Sequence, residues 1–121
     1  MPTLSELRHT GGFLVWEALR DYCRETVVLT GGDFDPGTVL GKITASGKYA
    51  AHNPGASNGT QTAAAVLWDR VDASAADANA VVLIRGPAIV NRHEIAIPGA
   101  PTEPQIAAAH AALLALGILV R

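Results

Sequence analysis

ETVVLTGGDFDPGTVLGKIT, residues 25–44, reads as β structure from end to end. Thr26-Val27-Val28-Leu29-Thr30 is a run of mostly β-branched residues, whose stiff side chains fit a pleated surface better than a helix. Gly31-Gly32-Asp33 stops the run. Asp35-Pro36-Gly37 then makes a turn with a mechanism, since Pro36 presets φ for the second turn position and Gly37 supplies a positive φ after it. Thr38–Thr44 returns as a strand, and Gly41 inside it marks a bulge or a close backbone approach. Two strands and two glycine-bearing turns within twenty residues predict a mostly β chain.

The same texture continues outward. Ser46-Gly47 turns the chain into Lys48–His52, and residues 53–62 (NPGASNGTQT) form a loop with the turn dipeptide Asn58-Gly59. Ala63–Asp69 fits helix or strand by period alone, and its place between turn-rich segments selects strand. After the loop Ala73–Asn79, Ala80–Arg85 (AVVLIR) reads as a buried strand closed by Gly86-Pro87. Ala88–Val90 and His93–Ile97 read as further short strands, with Ile95 and Ile97 on one face and Ala96 on the other. Upstream, residues 1–12 carry Pro2 and Gly11-Gly12 and read as an extended arm, and Phe13–Trp16 is an apolar run long enough for one strand.

Only the C-terminus changes period. Thr102 is an N-cap with Gln105 three residues on, a capping box, and Pro104 is tolerated in the first turn because its missing N–H has no helical partner there. Ile106, Ala109, His110, Leu113, Leu114 and Leu116 define an apolar stripe, Gly117 is the residue that ends the helix, and Ile118-Leu119-Val120 is a closing strand or tail. The expected organisation is an N-terminal arm over residues 1–24 and one mostly β domain over 25–121, with its helix at about 103–116.

Composition bounds what such a chain does. Of 121 residues, 49% are apolar, but alanine supplies 22 of these and only six residues are aromatic. A chain this size buries roughly two-thirds of its unfolded surface, so a core built largely on alanine is thin and leaves apolar residues for an interface. Net charge is −2, with no basic cluster of the kind that displaces counterions from nucleic acid. No apolar stretch reaches the ~18 residues of a membrane span, and Glu6 and Arg8 interrupt any signal-peptide pattern. One cysteine, Cys23, cannot form an intrachain disulfide, which favours a cytoplasmic origin. Neither nucleic acid nor membrane is an expected partner.

No residue pattern carries catalysis or a cofactor. His9, His52, His93 and His110 lack metal-ligand spacing; Cys23 sits between Arg20 and Arg24 without a catalytic context; and Asp33/Asp35 and Asp69/Asp72 stand at turns or strand ends, where Asp serves the backbone. No phosphate-binding glycine loop and no G-x-S-x-G are present. Catalytic, cofactor and metal residues are all expected to be none, and the chain is not expected to be an enzyme.

Two resemblances remain. Val28–Lys42 is similar to the hairpin of biotinyl and lipoyl carrier domains, yet Lys42 falls mid-strand and Lys48 has no Met neighbour, so a carrier or small β binding module is the alternative reading. The larger resemblance runs the length of the chain. Arg8–Trp16 (RHTGGFLVW), Arg24–Leu29, Pro36–Thr44, Gly47-Lys48-Tyr49, Asn53-Pro54, Asn58–Leu67 and the Ala-rich helix entering Leu116–Arg121 resemble, in order and spacing, the lambda-type bacteriophage head decoration proteins. Asn58 stands where that family usually has Asp, Ala65 where it usually has Gly, and Leu19–Cys23 replaces a small Gly-bearing turn. An alanine at 65 is strained if the position requires positive φ.

The resemblance implies a β-clip-like, mostly β fold with one C-terminal helix and a flexible N-terminal arm. It implies a non-enzymatic homotrimer on the exterior of the virion, made in the host bacterial cytoplasm. Such trimers sit at three-fold and quasi-three-fold positions of the major capsid lattice and stabilise the expanded head against DNA pressure. The residues expected to contact the capsid are Phe13, Leu14, Val15, Trp16 and Arg24, with Phe13 and Trp16 exposed.

Overall fold

The structure is a computed structural model that describes residues 13–17, 23–98 and 101–121. Its strands are β1 (Leu14–Glu17), β2 (Arg24–Leu29), β3 (Asp33–Phe34), β4 (Val39–Lys42), β5 (Tyr49–Ala51), β6 (Ala65–Leu67), β7 (Val71–Asp72), β8 (Ala78–Leu83), β9 (Ala88–Val90) and β10 (Ile118–Val120), with a helix α1 (Glu103–Ala115) between the last two. The described residues are mostly β with one C-terminal helix, as the sequence predicts. β2, β5, β4, β6 and β8 close into a barrel, β1, β9 and β10 form a three-stranded sheet, and β3 pairs with β7.

Strand alternation sorts the apolar residues into two cores. Leu29, Leu40, Ala65, Leu67, Ala80 and Val82 point into the barrel. Their chain neighbours Val39, Val66 and Leu83 point outward, where they meet Phe13, Val90, Leu113 and Ile118 under the sheet and α1. β6 and the end of β8 are therefore buried on both faces, which explains their uninterrupted apolar runs. Small residues let the layers close. A Cβ on Gly41 would stand 2.5 Å from Thr60 Cα, so Gly41 admits the loop 53–62 against the barrel. Ala65 lies in β6 and, among the described residues, no non-glycine residue has positive φ, so its replacement of glycine carries no strain.

The capping box at Thr102 and Gln105 is present, with Pro104 in the first turn. Gly117 takes φ +86° beyond the helix end. There the Gly86 N–H donates to Leu116 O, the Ala88 N–H donates to Gly117 O, and a Cβ on Gly86 would fall 1.8 Å from Gly117 O. Backbone contact at that point aligns β10 parallel to β9.

Two expectations need correction. His93–Ile97 is not a strand: residues 92–94 turn, and only Ala96 bridges, to Thr38. Pro98, with no N–H, offers no donor to extend that pairing. The six-residue helical stripe also fails. Only Ala109 and Leu113 of α1 are buried, and Leu114 is 57% exposed. Alanines surround the helix, so apolar spacing alone does not select the face that packs.

Candidate assembly surface

The register of the three-stranded sheet divides its residues by face. Leu14, Val90 and Val120 form one cross-strand row, and Glu17, Ala88 and Ile118 another. The apolar members of both rows pack on the core beneath. The row between them, Trp16–Ile89–Leu119, points away from it. Between Leu14 and Trp16 the pairing slips, so that β1 spends an extra residue, Val15, against β9. A bulge of this kind breaks the alternation, which is why Val15 and Trp16, though adjacent, are both exposed, at 61% and 51%. β1 is an edge strand, so its outer backbone groups have no neighbour among the described residues.

The root of this surface is a stack of side chains from β1, β2 and the end of β6. Phe13 meets Trp68 edge to face, ring centroids 5.6 Å apart at 79°. The Arg24 guanidinium lies over the Trp68 ring, 3.4 Å from its centroid. Its Nε donates to Glu17 Oε2 at 3.1 Å and Nη2 donates to Oε1 at 2.5 Å, a two-point ion pair with side chains 17% and 12% exposed. Partial burial and planar geometry make this pair stronger than an ordinary surface salt bridge. It fastens β1 to the barrel.

The residues expected to touch a capsid therefore separate. Val15 and Trp16 are exposed, Leu14 is half-buried and packs inward, and Arg24 holds Glu17 and Trp68. Phe13, read as exposed, is 1% exposed and belongs to the core; the apolar run continues straight through the point where the bulge reverses direction. Of residues 1–24, read as an arm, 1–12 and 18–22 lie outside the described residues, while Leu14–Glu17 and Arg24 stand in strands. Trp68, Glu17, Ile89 and Leu119 were missed. The alternation within Ala88-Ile89-Val90 signals the outward Ile89, whereas Trp68 acts through contacts distant in sequence.

Elsewhere the polar groups serve the backbone or each other. Cys23 is fully buried. His52 is buried and donates from Nδ1 to Thr60 O at 2.8 Å, the carbonyl being able only to accept. Burial, with Arg92 nearby, holds the His110 imidazole below its ordinary basicity. Arg70 Nη2 donates to Asp33 at 2.9 Å, and Asp72 accepts from both the N–H and the hydroxyl of Ser74, which hold its carboxyl below the usual range. Neither lysine occupies the free tip of a hairpin as a carrier domain would require: Lys42 ends β4, and Lys48 is paired with Asp77. Among the described residues, no three His, Cys, Asp or Glu side chains gather to hold a metal, and no helix is long and apolar enough to cross a membrane.

The family model described as bacteriophage lambda head decoration protein D matches residues 3–118 of the 121. No curated protein matches the chain.

Proposed function

The chain belongs to the bacteriophage lambda head decoration protein D family, a structural phage family located on the virion capsid, and from that premise we propose that the outward row of its three-stranded sheet is the face that grips the shell. One observation carries this reading: Val15, Trp16, Ile89 and Leu119 place apolar surface on the side of a sheet that faces away from its own core, beside an open strand edge. An exposed apolar patch next to an unpaired edge suits addition of a partner strand, with main-chain bonds supplying affinity and Trp16 an anchor.

In this reading the protein assembles as a homotrimer and seats at three-fold and quasi-three-fold positions of the expanded lattice. Residues 1–12 lead into β1 and contribute the arm. Three modest contacts per trimer then act together, because the second and third form at a high effective concentration. The clamp restrains neighbouring capsid subunits against internal pressure. It asks no chemistry of the protein.

Trp16→Ala tests the reading in a sedimentation assay with expanded heads lacking decoration. Binding should fall by more than tenfold while the chain keeps its fold. Unchanged binding would remove the sheet face from the mechanism. Deletion of residues 1–12 is the complementary test, since it leaves Phe13 in the core and should likewise lower binding.

A further inference from the structure

The barrel is closed very unequally. β2 pairs with β8 through all six of its residues, from Arg24↔Leu83 to Leu29↔Ala78. On its other side it meets β5 at the single pair Leu29↔Tyr49. The direction of the backbone along β2 follows from its ends. Thr30 N–H donates to Tyr49 O across the seam, whereas Cys23 O accepts from Ile84 N–H on the β8 side. Alternation then turns the N–H groups of Thr26 and Val28 toward the seam, where no strand among the described residues runs beside Arg24–Val28.

A hollow of about 510 Å³ occupies that gap, walled by Glu25, Val27, Lys42, Lys48, Tyr49 and Arg85. Lys42 and Lys48 are the only two lysines in the chain. Arg85 is paired with Glu25 and Lys48 with Asp77, leaving the seam net positive. The opposite charge collects elsewhere. Four of the six aspartates, Asp33, Asp35, Asp69 and Asp72, stand on or beside the β3–β7 pair. Asp33 and Asp72 face each other directly across that pair, with Arg70 paired to Asp33 and Ser74 donating to Asp72.

We propose that the seam between β2 and β5 receives the acidic β3–β7 edge of a second copy of this chain. The copies join head to tail, an arrangement that closes into a ring when the rotation allows. The incoming strand completes the backbone pairing of β2, and Lys42, the charge left over once Lys48 is paired with Asp77 and Arg85 with Glu25, meets the aspartates of the β3–β7 edge. This names the contact beneath the homotrimer of the preceding section and rests on that self-assembly, not on which face grips the shell. Lysines also guard strand edges against unwanted pairing, and the test separates the two roles.

Mass in solution, by light scattering across a concentration series, reads the assembly of the full chain. Lys42→Glu and Asp72→Lys should each weaken it by about tenfold or more, because like charges then meet at the contact. The two together in one chain should restore it to within a few-fold. Thr26→Pro removes an N–H directed at the seam without touching the β8 ladder, and should weaken assembly at unchanged circular dichroism. A chain that stays monomeric, assembly indifferent to Lys42→Glu and Thr26→Pro, or a double reversal that fails to rescue overturns the proposal. So does a Lys42→Glu variant that keeps its oligomer and loses only the shell. Loss of shell binding by Trp16→Ala with the oligomer intact leaves the seam untouched, so the two readings fail separately.

Discussion

The barrel and the three-stranded sheet are made of the same kinds of residue and treat them in opposite ways. In the barrel, both faces of β6 are covered and Leu40, Leu67 and Val82 are fully enclosed. The sheet has three short strands, two edges that are open among the described residues and one covered face, and leaves Val15 and Trp16 to solvent. Closure distinguishes them. A nearly closed sheet can bury apolar residues inside and outside, whereas an open three-stranded one can bury a single face and must offer the other to water or to a partner. Stability thus concentrates in one region and exposed apolar surface in the other, with Arg24 joining them.

The largest expected effect tests the stable half. Leu67→Ala, inside the barrel, should cost about 2–5 kcal/mol of unfolding free energy, read by urea titration, while shell binding persists wherever the variant is folded. A variant that loses binding while still fully folded would erase the division between the regions. Next comes Trp16→Ala, whose stability should change by under about 1 kcal/mol while shell affinity falls by about 2 kcal/mol, near thirty-fold. The joint is third. Arg24→Gln strands Glu17 and uncovers Trp68, at about 1–2 kcal/mol, and hydrogen exchange should quicken in β1 and β9 before it quickens in β4 or β6.

The smallest effect is one of pH. His110 lines a hollow with Arg92, His93 and Glu103 on the sheet-and-helix side, and burial followed by Arg92 lowers its basicity. The unfolded chain therefore binds a proton there more readily than the folded one, so stability declines as pH falls through about 6.5 and below. The melting temperature should be lower at pH 5 than at pH 7, and His110→Gln should flatten that decline. Asp72 and Asp77, whose carboxyls are held low by Ser74 and Lys48, lose their contribution only in more acid solution, below about 4. An identical decline in His110→Gln would show that this region is indifferent to its histidine.

Much of the fold was legible because its signals are local. The β-branched run at Thr26–Thr30, the positive φ of Gly37 and Gly59, and the Thr102–Gln105 capping box each act within a few residues. What was not legible depends on distance. β2 finds its main partner in β8, about fifty residues away, and nothing in either strand states that a barrel results. The outward face of the three-stranded sheet was half visible. The apolar run at 13–16 marked the place, but the bulge at Val15 is set by β9, and it decides that Phe13 turns inward while Trp16 turns outward. In α1, alanine on every side hid the packing face, which Leu113 and Ala109 reveal only against the core.

The contact of Gly86 with Gly117 has a consequence for how the chain can vary in length. The helix is fixed at its start by the capping box and at its finish by backbone pressed on backbone, 31 positions apart in sequence. Between those two stops its 13 residues act as a ruler. One residue more or fewer rotates Ala109 and Leu113 by about 100° and displaces Gly117 from its backbone contact with Gly86, where no side chain fits. Single insertions within 104–115 should therefore be rejected outright, while the exposed loop 74–77 accepts them, and a library of one-residue insertions screened for soluble folded protein would show the helix as a gap between tolerant flanks.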